Sequence, residues 1–123
     1  EKITKFYTEG ETITPSSYTN QEPSSYYIST IENTIVSFGS PDDENEVYKQ
    51  HPELESLTRI LGDKLMVIHD NEFAHWVNHT PEERYLQLIK NRPDLIQRVP
   101  QYDIANYLGV TLRSLNRTLN GLK

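Results

Sequence analysis

The stretch VPQYDIANYLGVTLRSLNRTLNGL, from Val99 to Leu122, decides the fold of the C-terminal part of this chain. It predicts two short helices, about Gln101–Leu108 and Leu112–Asn120, joined by a tight turn at Gly109. Helices that cross steeply need a small side chain where they touch, which Ala105 supplies, and glycine accepts the positive φ of the turn. The apolar residues predicted to face inward are Ile104, Leu108, Val110, Leu115 and Leu119. This arrangement is typical of a helix-turn-helix.

The second predicted helix would present its polar face to a DNA groove. Arginine can form two hydrogen bonds with guanine in the major groove, and asparagine can do the same with adenine. At the start of the first helix, Gln101 would hold a phosphate, and Thr111 would cap the second helix. The candidate DNA-binding residues are Gln101, Thr111, Leu112, Arg113, Ser114, Asn116 and Arg117. A plain helical hairpin with solvated arginines has the same pattern, so the residues alone leave that alternative open.

Charge and composition are compatible with DNA binding and exclude several other classes of protein. The whole chain carries −6, but residues 81–123 hold seven basic and four acidic side chains, a net +3. Because salt screens charges beyond about 8 Å, this local excess can attract DNA phosphates despite the acidic remainder. The absence of cysteine excludes disulfides, thiol catalysis and iron–sulfur ligation. We find no transmembrane run and no signal peptide, so we expect a cytoplasmic protein with no membrane partner.

The longest predicted helix precedes the helix-turn-helix, from Pro52 to about Asn78. Its leucines recur three or four residues apart and approximate a heptad. Packing against the chain's own N-terminal part would explain this seam, and so would pairing with a second copy. We favour a homodimer, because the seam is longer than three short strands can cover. The predicted dimer interface is formed by Leu54, Leu57, Leu61, Leu65 and Ile68.

The rest of the chain contains short sequence patterns that predict individual strands, loops and helices. Runs rich in Tyr, Ile, Val and Thr predict β-strands over the first 38 residues. Gly39–Asn45 predicts a loop, and Glu46–Gln50 predicts a short helix. Thr80, Pro81 and Glu83 predict a capped helix start, and that helix should end near Asn91, before Pro93. The predicted strands are Ile3–Thr8, Tyr26–Ile31 and Thr34–Phe38.

Three motifs carry a resemblance to a known family: TPEERYLQL over Thr80–Leu88, RVPQ over Arg98–Gln101, and IANYLGVT over Ile104–Thr111. They resemble the cyclic-AMP receptor/FNR (Crp/Fnr) family of bacterial transcription regulators, in the branch found in Bacteroidetes. Within the resemblance, Arg117 falls at the family's recognition-helix arginine, whereas Arg113 falls where the cyclic-AMP receptor has a glutamate. The well-known consensus operator should therefore not be assumed.

The resemblance also implies a fold and a domain organisation. The implied fold is α+β. Residues 1–50 would be the C-terminal part of a cyclic-nucleotide-binding-like domain, a double-stranded β-helix of the cupin-like jelly-roll type. Residues 51–79 would be the dimerisation helix, and residues 80–123 a winged-helix-like helix-turn-helix domain whose wing, after Leu122, is short or missing.

The implied effector pocket is degenerate. Gly10 and Glu11 match the start of the family's nucleotide site, and Ser24 and Ser25 fall in its phosphate-binding turn. The turn contains no arginine, so a cyclic phosphate would find no guanidinium group to bind it. It would instead lie near the negative charge of Glu22. We therefore expect no response to cyclic AMP or cyclic GMP, and the small-molecule effector stays unidentified.

We expect no cofactor and no metal. A histidine could ligate haem, but lone histidines are mostly surface or packing residues. His75 and His79, four residues apart, could hold a metal ion, but no third ligand is evident. The four histidines are His51, His69, His75 and His79.

The sequence therefore predicts a homodimeric transcription regulator that reads a palindromic operator and can contact RNA polymerase. It predicts no enzyme and no catalytic residues. The alternative is a dimeric ligand-sensing or interaction module with a vestigial helix-turn-helix.

Overall fold

Seven helices make up the regular structure of residues 1–121, the part of the chain that the computed structural model describes. The chain divides into two units, one comprising Glu1–Thr8 with the residues from Asn71 onward, the other Glu9–Asp70. None of the described helices is long and apolar enough to cross a membrane. The helices are α1 (Ser17–Asn20), α2 (Pro41–Gln50), α3 (Pro52–Asn78), α4 (Pro81–Asn91), α5 (Pro93–Arg98), α6 (Gln101–Leu108) and α7 (Leu112–Gly121).

The predicted α+β fold, with a jelly-roll domain over residues 1–50, is wrong, because no strand forms between residues 1 and 121. A strand is stable only when a neighbour completes its hydrogen bonds and another layer covers its apolar face, which is what β propensity reports. Here the side chains of Tyr27 and Phe38 are 95% and 96% exposed. The segments predicted as strands and found as irregular chain are Ile3–Thr8, Tyr26–Ile31 and Thr34–Phe38.

The predicted loop Gly39–Asn45 is also wrong, since α2 already begins at Pro41. The Ser40 hydroxyl accepts a hydrogen bond from the Asp43 N–H at 3.2 Å, and the Asp43 carboxylate accepts one from the Ser40 N–H at 2.7 Å. This is a capping box, and its acidic residues lie at the positive end of the helix dipole. The acid-rich stretch that indicated a loop is therefore a helix start.

Helix α5 was not predicted from the sequence. Pro93 does end α4, as expected, but it also takes the first position of α5, where its missing N–H costs nothing. At this junction the Arg92 guanidinium donates to both Asp94 carboxylate oxygens, at 3.1 and 3.2 Å, and to the Thr8 hydroxyl at 3.1 Å. The hydrogen bond from Arg92 lowers the pKa of Asp94.

The core lies in the unit that contains α4 to α7. Both predicted features of the α6–α7 turn are present: Ala105 is 2% exposed, and Gly109 has a φ of 77°. Of the residues predicted to face inward, three are buried and the other two, Val110 and Leu119, pack partly buried against them. The buried core residues are Tyr85, Leu95, Val99, Ile104, Ala105, Leu108 and Leu115.

The N-terminal segment Glu1–Thr8 packs against the end of α6, a contact that sequence analysis did not predict. The Asn106 side chain accepts a hydrogen bond from the Ile3 N–H at 2.6 Å and donates one to the carbonyl of the first residue at 2.9 Å. The Lys2 ammonium donates to the Tyr107 carbonyl at 3.0 Å. A positive charge at a helix C-terminus interacts favourably with the helix dipole, so this segment stabilises the end of α6.

The other unit, Glu9–Asp70, buries no side chain completely. Its main polar contact is a carboxylate shared by two phenols, because the Tyr18 and Tyr48 hydroxyls both donate to Glu44. The hydrogen bond to Glu44 raises the pKa of Tyr18 to about 12. The bond from Tyr18 connects α1 to α2, whereas the bond from Tyr48 lies within α2.

Truncating a core side chain of α6 should destabilise the unit that contains α4 to α7. We expect Leu108→Ala to lower the free energy of unfolding by about 2–5 kcal/mol, because it leaves a cavity at a fully buried position. The matched control is Tyr102→Ala on the same helix, whose side chain is 68% exposed and which should change stability little. Urea unfolding followed by circular dichroism measures both. Equal losses for the two variants would contradict the burial pattern.

Candidate nucleic-acid interface

One face of α7 is open to solvent and forms a shallow cavity of about 570 Å³. All the side chains that line it come from this single helix, at successive turns of the same side. They are Leu112, Arg113, Asn116, Arg117 and Asn120. Four of these residues were predicted as DNA-binding from the sequence, and Asn120 was not.

The opposite side of α7 anchors it to the rest of its unit. Leu115 is 2% exposed and belongs to the core, and Leu119 packs partly buried against that core. Between them, the Thr118 hydroxyl donates to the Ser114 carbonyl at 3.3 Å. Ser114 is itself half-buried and does not line the cavity, so the structure separates it from the open face.

The start of α7 is fixed by a side-chain cap. The Thr111 hydroxyl accepts a hydrogen bond from the Ser114 N–H at 3.1 Å, as the sequence predicted. Gln101, the first residue of α6, is exposed, and no side chain caps that helix. Neither Thr111 nor Gln101 lines the cavity, so a phosphate contact at either residue stays a prediction.

Basic side chains of this unit differ in whether structural contacts occupy them. The Arg84 guanidinium donates to the Trp76 carbonyl at 2.8 Å and lies 4.4 Å from the centre of the Trp76 ring. Arg92 is paired with Asp94. Arg113 and Arg117 form no hydrogen bond or ion pair with any residue between 1 and 121. Their charges are therefore available at the open face of α7.

Acidic side chains near α4 are held by local contacts. The Glu83 carboxylate accepts the Thr80 N–H at 2.8 Å, and the Thr80 hydroxyl accepts the Glu83 N–H at 3.3 Å. This capping box was predicted from the sequence and is confirmed. The backbone hydrogen bond from Thr80 lowers the pKa of Glu83. No carboxylate occurs in the sequence of α7 itself, so its exposed charge is purely positive.

The predicted effector residues lie outside the helices of the structure. Gly10, Glu11, Ser24 and Ser25 are in irregular chain, and none of them lines the cavity on α7 or the small cavity between α4, α6 and α7. The jelly-roll strands that would have carried them around a ligand are absent from residues 1–121, which removes the scaffold for such a site.

The predicted dimer residues are substantially exposed on α3. Leu57, Leu61, Leu65 and Ile68 expose between 49% and 51% of their surface, and Leu54 is half-buried. A seam of apolar side chains that stays half in contact with water has hydrophobic surface left to bury.

The two histidines that are four residues apart, His75 and His79, lie close together and make local contacts. The rings of His75 and His79 lie 3.9 Å apart, His79 Nδ1 is hydrogen-bonded to the His75 carbonyl at 2.6 Å, and His75 Nε2 is hydrogen-bonded to Gln87. Among residues 1–121, no three potential ligand side chains cluster around a common metal position.

No family model, curated protein or solved structure matches this chain. The likeness of its motifs to the Crp/Fnr family therefore remains an expectation from the sequence.

Removing the cap of α7 should loosen the candidate interface. We expect Thr111→Ala to lower the free energy of unfolding by about 1 kcal/mol, because the Ser114 N–H loses its acceptor. Thr111→Ser keeps a hydroxyl and is the control that should restore most of this loss. Amide hydrogen exchange of the first turn of α7 would report the change directly, and equal exchange in all three proteins would contradict the cap's role.

Proposed function

We propose that this chain is a DNA-binding transcription regulator that places α7 in the major groove of duplex DNA, with α6 packed behind it. The observation that carries the proposal is the open face of α7, where two asparagines and two arginines that form no ion pair with residues 1–121 line one shallow cavity. An α-helix fits the major groove, and these side-chain types are those that bond base edges there.

The local charges support the same function. Arg84 and Arg92 are occupied by contacts within the unit, whereas Arg113 and Arg117 face solvent on a helix that contains no acidic residue. Phosphate neutralisation supplies much of the affinity of proteins for DNA and makes it depend on salt. Binding should therefore weaken as the salt concentration rises.

The resemblance of the helix-turn-helix motifs to the Crp/Fnr family supports this proposal for α4 to α7 alone. A regulator of that type acts in the cytoplasm, without an enzymatic activity of its own. We propose that its activity does not depend on a cyclic nucleotide, because residues 1–50 form none of the strands that would carry the family's phosphate clamp.

We also propose that the regulator is a homodimer through α3. Residues four or three apart on α3 share one side of the helix, and this side holds the half-exposed seam of Leu57, Leu61, Leu65 and Ile68. Pairing two copies would bury the seam. Two copies of α7 would then read a palindromic operator whose half-sites lie about one helical turn of DNA apart.

The proposed reading of bases is tested at Arg117. On a duplex selected by the full chain from a random library, Arg117→Ala should lose about 1–3 kcal/mol of binding free energy, and far less on a scrambled duplex. Arg117→Lys should recover phosphate attraction without the two-bond geometry. The charge-matched control is Lys90→Ala, an exposed lysine on α4 that should have little effect on specificity.

Binding at two salt concentrations separates the outcomes of this test. If Arg117→Ala weakens both duplexes equally, Arg117 contacts phosphate and the assignment of base reading is wrong. If it changes neither, α7 does not read DNA, and an interaction module with a vestigial helix-turn-helix becomes the better account.

The proposed dimer is tested by placing charges in the seam. Leu57→Lys combined with Leu61→Lys should cost the dimer about 3–5 kcal/mol, because unpaired like charges would be buried at the interface. The control combines Met66→Lys with Phe73→Lys, which lie on the other side of α3 and are 64% and 70% exposed. Sedimentation should show a monomer only for the seam variant. A wild-type monomer at tens of micromolar, or a monomer only for the control, would contradict the proposed dimer.

A further inference from the structure

The open face of α7 contains two polar rows instead of one. Arg113 and Arg117 are four residues apart, and so are Asn116 and Asn120, so each pair is stacked along one side of the helix. At about 100° per residue, the asparagine row lies between Leu112 and the arginine row. A base edge that enters the cavity would therefore meet guanidinium and amide groups side by side.

The chemistry of these rows selects particular base edges. Arginine matches the O6 and N7 acceptors of guanine, and asparagine matches the N6 donor and N7 acceptor of adenine. Cytosine presents an N4 donor, which is commonly read by a carboxylate, and α7 has none. The face is therefore built to read purines.

We infer that Asn120 is a further specificity-determining residue, which together with Asn116 reads adenine next to guanine read by the arginine row. This inference rests on the proposed function of α7. The operator half-site then combines guanine and adenine, with Leu112 at the edge of the face available to contact a thymine methyl group.

The dimensions of the helix agree with this division. Arg113 and Asn120 are seven residues apart, which corresponds to about 10 Å along the axis at 1.5 Å per residue. Stacked bases on one strand are about 3.4 Å apart, so the length of the face is comparable to about three base steps. The competing role for Asn120, in the last turn of α7, is a phosphate contact. Its side chain lies on the same open face as Arg117, so both side chains can enter the groove that α7 occupies.

The experiment uses the full chain and a duplex selected from a random library. Asn120→Ala should bind the selected duplex roughly 5- to 100-fold more weakly while changing affinity for a scrambled duplex much less. Asn91→Ala is the matched control, since Asn91 is an exposed asparagine at the end of α4 that lies outside the cavity. It should bind like the wild type.

Atomic substitution in the DNA identifies the contact. Replacing the half-site adenines one at a time with 7-deazaadenine removes the N7 acceptor. At one position this change should weaken the wild type and leave the affinity of Asn120→Ala unchanged, because that variant has already lost the bond.

The outcomes distinguish this inference from the proposed function. If Arg117→Ala loses specificity but Asn120→Ala does not, the inference is overturned and the proposed function stands. A uniform loss on all duplexes for Asn120→Ala, or a selected half-site without adenine, also overturns it. If the wild type selects no duplex at all, the proposed function fails and the inference fails with it.

Discussion

The turn at Gly109 is the constraint on which the rest of the C-terminal unit depends. Its φ of 77° reverses the chain within three residues, while the Gly109 and Val110 N–H groups bond back to carbonyls of α6 at 3.1 and 3.0 Å. Residues other than glycine rarely adopt this backbone conformation. Because the turn holds Ala105 and Leu115 in one core, it determines which side of α7 stays open. The exposed polar side is thus a consequence of how the apolar side is packed.

The same end of α6 receives support from distant parts of the chain. The Asn106 amide binds the backbone of the N-terminal segment, and the Tyr107 ring contacts Phe6 and Trp76 at 5.1 and 4.8 Å between ring centres. Burial raises the pKa of the Tyr107 hydroxyl. Since Trp76 belongs to the last turns of α3, these aromatic contacts connect the end of the long helix to the helix that carries the turn. None of them occupies the open face of α7.

The parts of the fold that were predicted correctly are those that local chemistry specifies. The bounds of α6, the cap at Thr111 and the capping box at Thr80 each depend on residues within a few positions of one another. The strands were predicted wrongly, and the jelly roll that the resemblance implied fails with them, because a sheet depends on distant partners and β propensity cannot reveal whether a segment has one. The contact of Asn106 with Ile3 joins residues 103 positions apart and has no sequence signal. Asn120 could have been found, because it repeats Asn116 one turn later on the same side.

The proposed DNA-contacting surface is the open face of α7. It is tested most directly by nuclear magnetic resonance of the full chain titrated with duplex DNA, following the side-chain N–H signals of arginine and asparagine. We expect the signals of Arg113, Asn116 and Arg117 to shift at low salt and to return as salt is added, while the signal of Asn91 stays in place. Shifts confined to residues outside α7, or no shifts at any salt concentration, would contradict it.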